Sequence, residues 1–422
     1  MATKITVLVL ALGVFAMNSR IALEFDRLRV FDENDVLFQA DLPCRLSNLA
    51  HGWCDSGRGY VHPNLANLMS LPIRALGRLA VILGVGSAEA VAIRRELAVF
   101  YVPFVSALQF LVVFLIFRGL DFSRPAAILV SIFAATTFCQ LIYGSIPESY
   151  ALSSFAIALA YLVAIRAMRN DRPPSLALAL GIGIFAAGIT IMNVVPLAIL
   201  CWVTLRQLGH SIGEATRRSV LVTLAVLAAT FASAFALDRA YGVPAMPIQQ
   251  LRAFATTYRR DDVLQRLADF PTALSNTVVS TMPRLTPMSI EPRTHRLGFT
   301  FSQATGIFRR QRIVGSVVFV ILVLVVARAP AWSGERRAIA IASILIITFN
   351  AILHAFWGSE LFLYASHWLI PLVVLMGGFL KLHPRTERMC VAVFAALCVA
   401  VCVVNAQTLA GMFGILRLQA TP

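Results

Sequence analysis

Lysine, and charged residues in general, are scarce in this chain. Lys4 and Lys381 are its only lysines, so arginine supplies nearly all of the positive charge. Charged residues make up 14% of the sequence, against about 25% in an average globular protein, while hydrophobic residues make up 59%. A soluble core cannot bury that much apolar surface. The composition therefore excludes a soluble globular protein and indicates one embedded in a membrane.

Sequence motifs for nucleotide and metal chemistry are also absent. The chain has no GxxxxGK[ST] loop, no HExxH, no CxxC and no GxSxG elbow. This argues against a nucleotide-driven pump. The basic residues are dispersed among apolar runs, which argues against nucleic acid as a partner. No cofactor is predicted with certainty, and a divalent cation is left open.

Apolar runs long enough to cross the hydrocarbon layer occur about eleven times. They lie near residues 5–25, 97–117, 125–144, 150–165, 175–192, 194–205, 219–237, 313–327, 338–356, 361–380 and 389–405. The sixth is short and begins at Asn193 and Pro196, where a broken or tilted helix is expected. The predicted fold class is all-α, a polytopic membrane protein whose residues 1–422 form a single domain of about 11 transmembrane helices.

The short connections between these runs differ in charge. Those on one side all carry Lys or Arg, whereas the short loops near 145–149, at 193 and at 357–360 carry neither. The positive-inside rule then places the N-terminus in the cytoplasm and two long loops, 26–96 and 238–312, outside it. Both loops contain stretches with the helical periodicity of interfacial helices.

The first of these loops is acidic. Its segment FDENDVLFQAD contains Asp32, Glu33, Asp35 and Asp41 between apolar residues. A solvated acidic loop is the simpler interpretation. The alternation with apolar residues instead predicts that the segment is packed down, and carboxylates held against apolar surface suit base chemistry.

Other polar residues of the first loop are candidates for binding. Arg45, Arg58 and His62 follow the acidic segment, and His62 stands just ahead of a predicted interfacial helix. A lone histidine is more often structural than functional. Cys44 and Cys54 share this loop and could form a disulfide outside the cytoplasm, but the sequence does not show their pairing.

Two further external acids lie at predicted helix ends. Glu148 stands in IPESYAL, and Glu360 precedes Tyr364 and His367 in SELFLYASHW. An ionisable group at a membrane edge is a functional candidate, and helix capping is the alternative. Both interpretations are open for Glu148, whereas capping is favoured for Glu360.

The second long loop is rich in arginine and includes the adjacent Arg259 and Arg260. Guanidinium groups bind phosphate bidentately, which makes these arginines candidates for binding a substrate. Attraction to lipid headgroups is the simpler explanation for most arginines of the loop.

The layout and three local strings resemble the GT-C superfamily of polyprenyl-phosphate-dependent glycosyltransferases. FDENDVLFQADLPCR, VHPNLANLMSLP and IPESYAL resemble the acidic, His-Pro and Glu-x-Tyr positions of several such families. The resemblance implies an inverting enzyme of the cytoplasmic (inner) membrane with an extracytoplasmic active site. Its donor would be a polyprenyl-phosphate-linked sugar, and its acceptor a glycan, lipid or protein.

The resemblance also implies roles for residues of the first loop. A loop carboxylate would be the general base, with Asp41 first and Asp35, Asp32 and Glu33 behind it. The remaining implied candidates hold phosphate or acceptor, or complete the pocket: Arg45, Arg58, His62 and Glu148. The Asp-Glu pair common in these families is diluted here as Asp-Glu-Asn-Asp, which leaves the identity of the base open.

Three other functions compete with the glycosyltransferase. A transporter or flippase for a lipid-linked saccharide predicts ionisable residues deep inside spans and an internal repeat. Neither is found, since no repeat is evident and the spans between 97 and 237 are nearly free of charge. An oligosaccharide polymerase or ligase would share the arginine-rich second loop without needing an acidic first one. A non-catalytic scaffold that binds lipid carriers is also left open.

Overall fold

The computed structural model describes residues 2–51, 62–241, 256, 259–287, 297–301, 309–358, 360–382 and 386–420. Its helices are α1 (Ala2–Arg27), α2 (Leu42–His51), α3 (Leu65–Ile82), α4 (Ser87–Gly119), α5 (Arg124–Thr136), α6 (Phe138–Tyr143), α7 (Ser149–Arg169), α8 (Leu176–Ile189), α9 (Val194–Gln207), α10 (Ile212–Tyr241), α11 (Val263–Val278), α12 (Arg309–Arg328), α13 (Gly334–Phe356), α14 (Ala365–Gly378) and α15 (Glu387–Ala420). Two strands, β1 (Arg284–Pro287) and β2 (Leu297–Thr300), pair as an antiparallel hairpin. Single 3-10 turns lie at Val30–Asp32, Ile191–Asn193, Ala329–Ala331, Leu361–Tyr364 and Phe379–Lys381.

Eight helical segments within the described ranges are long and apolar enough to cross a membrane. They are α1, α4, α7, α10, α12, α13, α14 with its flanking turns, and α15. Large apolar side chains such as Leu12, Leu224 and Val399 remain exposed on their outer faces. Apolar surface on this scale is stable where lipid is the solvent. The chain is therefore an α-helical polytopic membrane protein, as the composition predicts.

Three predicted spans correspond to helices shorter than a bilayer. α5, α8 and α9 contain 13, 14 and 14 residues, so each is about 20 Å long against a hydrocarbon layer of about 30 Å. α6 continues α5 after an interruption at Thr137, and the turn Ile191–Asn193 separates α8 from α9. The sequence predicts a break at Asn193. The total of about eleven spans stays a prediction.

The centre of the bundle is formed by α7 and the α14 segment. In the apolar stretch of each, 78% and 89% of the residues are buried, whereas in that of α10 only 17% are buried. α7 packs against α4, α9 and α14, and α10 packs outside α8 and α9. Asn405 of α15 donates to the carbonyls of Thr136 (2.9 Å) and Val278 (2.7 Å) at the ends of α5 and α11. A buried carbonyl without a hydrogen-bond partner costs about 1–3 kcal/mol, so this amide stabilises both helix ends.

Both long loops contain helices, as the helical periodicity of their sequences predicts. The first contains α2 and α3, and α4 begins at Ser87, ahead of the span predicted from residue 97. The second contains α11 and the β1–β2 hairpin, which the all-α prediction omitted. Cys44 is disulfide-bonded. Its predicted partner, Cys54, lies outside the described residues.

Candidate functional site

The acidic segment of the first loop is packed against the protein. Phe31, Val36, Leu37 and Phe38 are all at most 1% exposed, while Asp32 between them faces solvent. The apolar side chains of the segment therefore point into the protein. The prediction that this acidic run is packed down is therefore confirmed.

The same segment adds a short extension to the hairpin of the second loop. The Phe38 amide donates to the Phe299 carbonyl, and the Phe299 amide donates to the Val36 carbonyl, both at 2.9 Å. Leu37 and Phe299 form a parallel bridge. These hydrogen bonds join the two long loops on one face of the bundle.

An aromatic cluster lies beneath this junction. The Phe38 ring stacks on the Phe301 ring with centroids 5.0 Å apart, and it meets the Phe362 ring edge-on with centroids 4.7 Å apart. Phe138 of α6 lies 6.2 Å from Phe38. Since such aromatic pairs contribute about 0.5–1.5 kcal/mol beyond their buried area, the cluster anchors both loops to the membrane-spanning body.

The acidic segment turns through three left-handed residues. Asp35, Phe38 and Gln39 have φ values of 63°, 52° and 61°, and the Asp35 amide donates to the Ala40 carbonyl at 3.0 Å. A left-handed conformation costs a non-glycine residue about 1–2 kcal/mol. Strained backbone of this kind is concentrated at functional sites, which makes the turn a candidate.

Asp41, Arg45 and Glu148 come together just beyond this turn. The Asp41 amide donates to Glu148 Oε1 at 3.3 Å, and Arg45 Nε lies 3.6 Å from the same oxygen. The Arg45 and Glu148 side chains are only 4% and 2% exposed, whereas Asp41 is partly exposed. Residues from the first loop and from the start of α7 therefore meet at one point.

Glu148 uses its second carboxylate oxygen to cap α7. Oε2 accepts from the Ser149 amide at 2.7 Å and from the Ser149 hydroxyl at 3.3 Å. The capping interpretation of Glu148 is confirmed, whereas its functional role stays a prediction; its other oxygen accepts from the first loop. With both oxygens engaged, Glu148 is suited to positioning its neighbours.

Glu360 binds the second loop and does not cap its own helix. No backbone amide of the turn that follows it donates to its side chain, so the prediction of a capping role is wrong. Its carboxylate instead accepts from the Phe301 amide, and its own amide donates to Gln39 Oε1 at 3.3 Å. The carboxylate thus binds the hairpin exit in place of the amides of its own turn.

Burial changes the acidity of Glu360. Loss of solvent raises the pKa of its carboxyl group from 4.5 to about 7, and the hydrogen bond from Phe301 only partly opposes this. Its Oε2 is buried and accepts no hydrogen bond within the described part of the chain. A carboxyl group with a pKa near neutrality can exchange a proton under physiological conditions.

The Tyr143 side chain lies near both buried carboxylates, Glu148 and Glu360. Glu148 and Glu360 both interact electrostatically with its phenol, whose hydroxyl donates to the Phe362 carbonyl at 3.1 Å. Tyr150 packs on Tyr143 with ring centroids 5.0 Å apart. The predicted residues Glu148 and Glu360 thus border one aromatic wall.

Histidine and arginine side chains extend this wall. His367 lies 6.0 Å from Tyr150 and 5.7 Å from His354 between ring centroids. His354 stacks on Tyr364 at 3.9 Å, and its carbonyl accepts from Arg266 Nε at 2.9 Å. The buried Arg266 Nη2 and His367 Nε2 make no hydrogen bond to the described residues.

Sequence reasoning missed Arg266 and His354 as members of this site. His354 carries a detectable signal, since an ionisable residue inside an apolar span is a functional candidate. Arg266 carries a weaker one, because it is one of many arginines in the second loop. Only the fold shows that it is 7% exposed and points at α13.

His62 lies at the break between α8 and α9. Its Nδ1 is 2.7 Å from the Ile189 carbonyl and 3.3 Å from the Thr190 hydroxyl. Thr190 in turn contacts Ser153 of α7 at 3.2 Å, one helical turn beyond Ser149. His62 therefore stabilises a helix end beside the site, which is a structural role. Its predicted role in binding phosphate or acceptor stays a prediction.

The other predicted residues lie outside this cluster or form ion pairs with residues that do not belong to it. Asp32 is 41% exposed and pairs with Arg29 at 3.1 Å and Arg95 at 3.7 Å. Glu33 and Asp35 are partly exposed within the turn. Arg260 forms a bidentate pair with Asp262 at 2.9 and 3.0 Å.

Two predicted site residues and the cation remain to be placed. Arg259 is exposed and forms a backbone bridge with Trp357, whereas Arg58 lies outside the described residues. In the part of the chain that the structure describes, no group of three or more His, Cys, Asp or Glu side chains is arranged to hold a metal ion.

No known family model matches the chain, and no characterised protein is significantly similar to it in sequence. The arrangement of the site therefore carries the functional argument.

Proposed function

We propose that this protein is an inverting glycosyltransferase that moves a sugar from a polyprenyl-phosphate carrier to an extracytoplasmic glycan, lipid or protein. The observation that carries the proposal is the position of Asp41. It is a partly exposed carboxyl group at the junction of the two long loops, and its backbone is held by the buried Glu148. Asp41 can thus serve as a solvent-accessible base whose backbone is held in place by a buried residue.

Asp41 is the general base in this proposal because it is partly exposed, whereas the neighbouring Glu148 and Glu360 are buried. Both oxygens of Glu148 accept hydrogen bonds, and Glu360 is 8% exposed and bound to the second loop. An acceptor hydroxyl arriving from solvent would reach Asp41 before either of these two buried acids. The base must reach the proton that it removes, so accessibility decides among the three acids.

The reaction would proceed by direct displacement. Asp41 removes the proton from the acceptor hydroxyl as its oxygen attacks the anomeric carbon. The bond between that carbon and the phosphate oxygen breaks, and the electron pair leaves with the polyprenyl phosphate. The configuration at the anomeric carbon is inverted, and the proton remains on Asp41 until solvent removes it.

Arginines of the second loop are the candidates for binding the phosphate. Arg259 is exposed, and Arg266 has a buried nitrogen with no hydrogen bond to described residues. A guanidinium stabilises the negative charge that develops on a leaving phosphate. Arg260 is a weaker candidate because Asp262 already occupies its guanidinium in a bidentate pair.

Placing both loops outside the cytoplasm belongs to the same proposal, as does the total of about eleven spans. The orientation rests on the arginine-rich connections opposite the loops. The site then faces the side of the membrane on which an extracytoplasmic acceptor would be found.

The test uses the full chain in liposomes that contain a panel of polyprenyl-phosphate pentoses and hexoses as donors, with added glycan, lipid and peptide acceptors. Release of polyprenyl phosphate is measured for the wild type, for Asp41→Asn and for Glu89→Gln, a control at an exposed acid of α4. Loss of a general base should slow turnover by about 10²–10⁴-fold in Asp41→Asn only. Equal turnover in Asp41→Asn and the wild type would reject Asp41 as the base. Absence of turnover with every donor in the wild type would reject the enzyme.

Transport of a lipid-linked saccharide is the second candidate, and one observation favours it. His354 and His367 are each 4% exposed within candidate spans, as expected for a proton-coupled carrier. In the same liposomes, movement of intact labelled donor between leaflets without release of polyprenyl phosphate would favour transport over transfer.

A further inference from the structure

An apolar cavity lies at the end of α7 opposite Glu148. Its volume is about 410 Å³, and it is lined by α7, α8, α9 and α10 and by the connection between α7 and α8. Its lining includes Ala160, Ala164, Ala179 and Ala198, where small side chains leave the space unfilled. Volumes of about 300–1,000 Å³ are typical of ligand sites, so the cavity is large enough for part of a lipid molecule.

The cavity reaches the lipid-facing surface of the bundle. Two of its lining residues, Leu176 and Leu221, are 62% and 56% exposed. The helix that forms its outer wall, α10, is the least buried of the candidate spans. An apolar space that opens beside hydrocarbon would be filled by hydrocarbon, because water finds few polar partners there.

Positive charge surrounds one end of the cavity. Arg218 is part of the lining and 44% exposed, and it pairs with Glu214 at 2.6 Å. Arg217 adjoins it and is exposed, while exposed Arg172 directly precedes the lining pair Pro173 and Pro174. These three arginines outnumber the two acids at this end, Glu214 and the exposed Asp171, so the end is complementary to an anionic headgroup.

The arginine-rich end of the cavity lies far from the candidate functional site along α7. Glu148 stands before the first residue of α7, and the cavity is lined by residues of its second half. A helix of 21 residues is about 31 Å long, close to the thickness of the hydrocarbon layer. Glu148 and the arginine-rich end of the cavity therefore lie toward opposite membrane faces.

We infer that this cavity is a binding site for one acyl chain of an anionic phospholipid, with the phosphate beside Arg172, Arg217 and Arg218. The occupant is a lipid of the leaflet opposite the two long loops. A polyprenyl carrier would have to reach the cavity from the other face. The inference does not depend on the glycosyltransferase proposal, because it concerns a structural lipid and not a substrate.

The test measures lipids retained by the delipidated full chain in native mass spectrometry. Phosphatidylglycerol is compared with phosphatidylcholine of the same acyl chains. We expect one phosphatidylglycerol to bind with roughly tenfold preference, and the double variant Arg217→Gln/Arg218→Gln to lose that preference. The matched control is Arg337→Gln/Arg388→Gln, which changes two exposed arginines outside the cavity and should retain it.

A second pair of variants tests the acyl chain. Ala198→Phe fills the cavity and should abolish retention, whereas Ala225→Phe on the exposed face of α10 should not. Equal binding of both lipids, or unchanged retention in Ala198→Phe, would overturn the inference. So would displacement of the lipid by polyprenyl phosphate at equimolar concentration. If Ala198→Phe fails to fold, the surface variants at Arg217 and Arg218 still decide the matter.

Discussion

Arg45 Nε lies 3.6 Å from Glu148 Oε1, and both side chains are almost completely buried. This ion pair connects the start of α2 to the start of α7, so it fixes the first loop on the bundle. Two charges removed from water stabilise each other only while both are present.

We predict that Glu148→Gln destabilises the protein by about 3–5 kcal/mol, because it leaves the Arg45 charge buried without a counter-charge. The double variant Arg45→Met/Glu148→Gln should recover part of that loss. The measurement is the midpoint of thermal unfolding in detergent, followed by tryptophan fluorescence.

The control for this prediction is Asp121→Asn. Asp121 pairs with Arg169 at 3.1 Å, but the two side chains are 61% and 42% exposed. Surface pairs contribute about 0–1 kcal/mol, so this variant should unfold close to the wild type. A shift in Glu148→Gln no larger than that of the control would refute the buried pair.

A second prediction concerns pH. The pKa of the Glu360 carboxyl group is raised from 4.5 to about 7 by burial, so the folded protein holds a proton that the unfolded chain releases between these values. Its contribution to stability is fully present below pH 4.5 and is lost as the pH rises to about 7, a change of about 3 kcal/mol.

Unfolding midpoints measured from pH 4.5 to 8 test this prediction. Glu360→Gln mimics the protonated group and should flatten the decline, whereas Glu96→Gln, at an exposed acid of α4, should follow the wild type. If Glu360→Gln declined as steeply as the wild type, another group would be responsible.

The membrane class and most helices could be predicted from the sequence, because hydrocarbon imposes long apolar runs of defined length. The packed acidic segment was also predictable from its alternating apolar residues. These patterns are local, and each is enforced within a few residues of the chain.

The contacts that build the site are not local. Asp41 and Glu148 are 107 positions apart, and Val36 meets Phe299 through backbone atoms that carry no side-chain signal. Glu360 shows the same limit, because its position before a helix predicts capping. The hairpin that captures its side chain is formed by a distant segment.

The backbone at Gly358 gives a third prediction. Gly358 has φ of +114°, and a Cβ atom there would lie 2.6 Å from the Tyr364 hydroxyl. Gly358→Ala should therefore strain the backbone and displace the ring that stacks on His354, lowering stability by more than about 1 kcal/mol. Gly181→Ala, with no atom within 4 Å, should leave the unfolding midpoint unchanged or raised.

The last prediction separates backbone geometry from chemistry at Asp35, the rival candidate for the base. Asp35 has φ of 63°, a conformation that asparagine tolerates and glycine adopts without strain. Asp35→Gly should raise the free energy of unfolding by about 1 kcal/mol, while Asp35→Asn should leave it unchanged. If Asp41 is the base, sugar transfer by Asp35→Asn should stay within about tenfold of the wild type, since only its charge has changed. A 10²-fold loss in Asp35→Asn with an unchanged unfolding midpoint would assign the base to Asp35 instead.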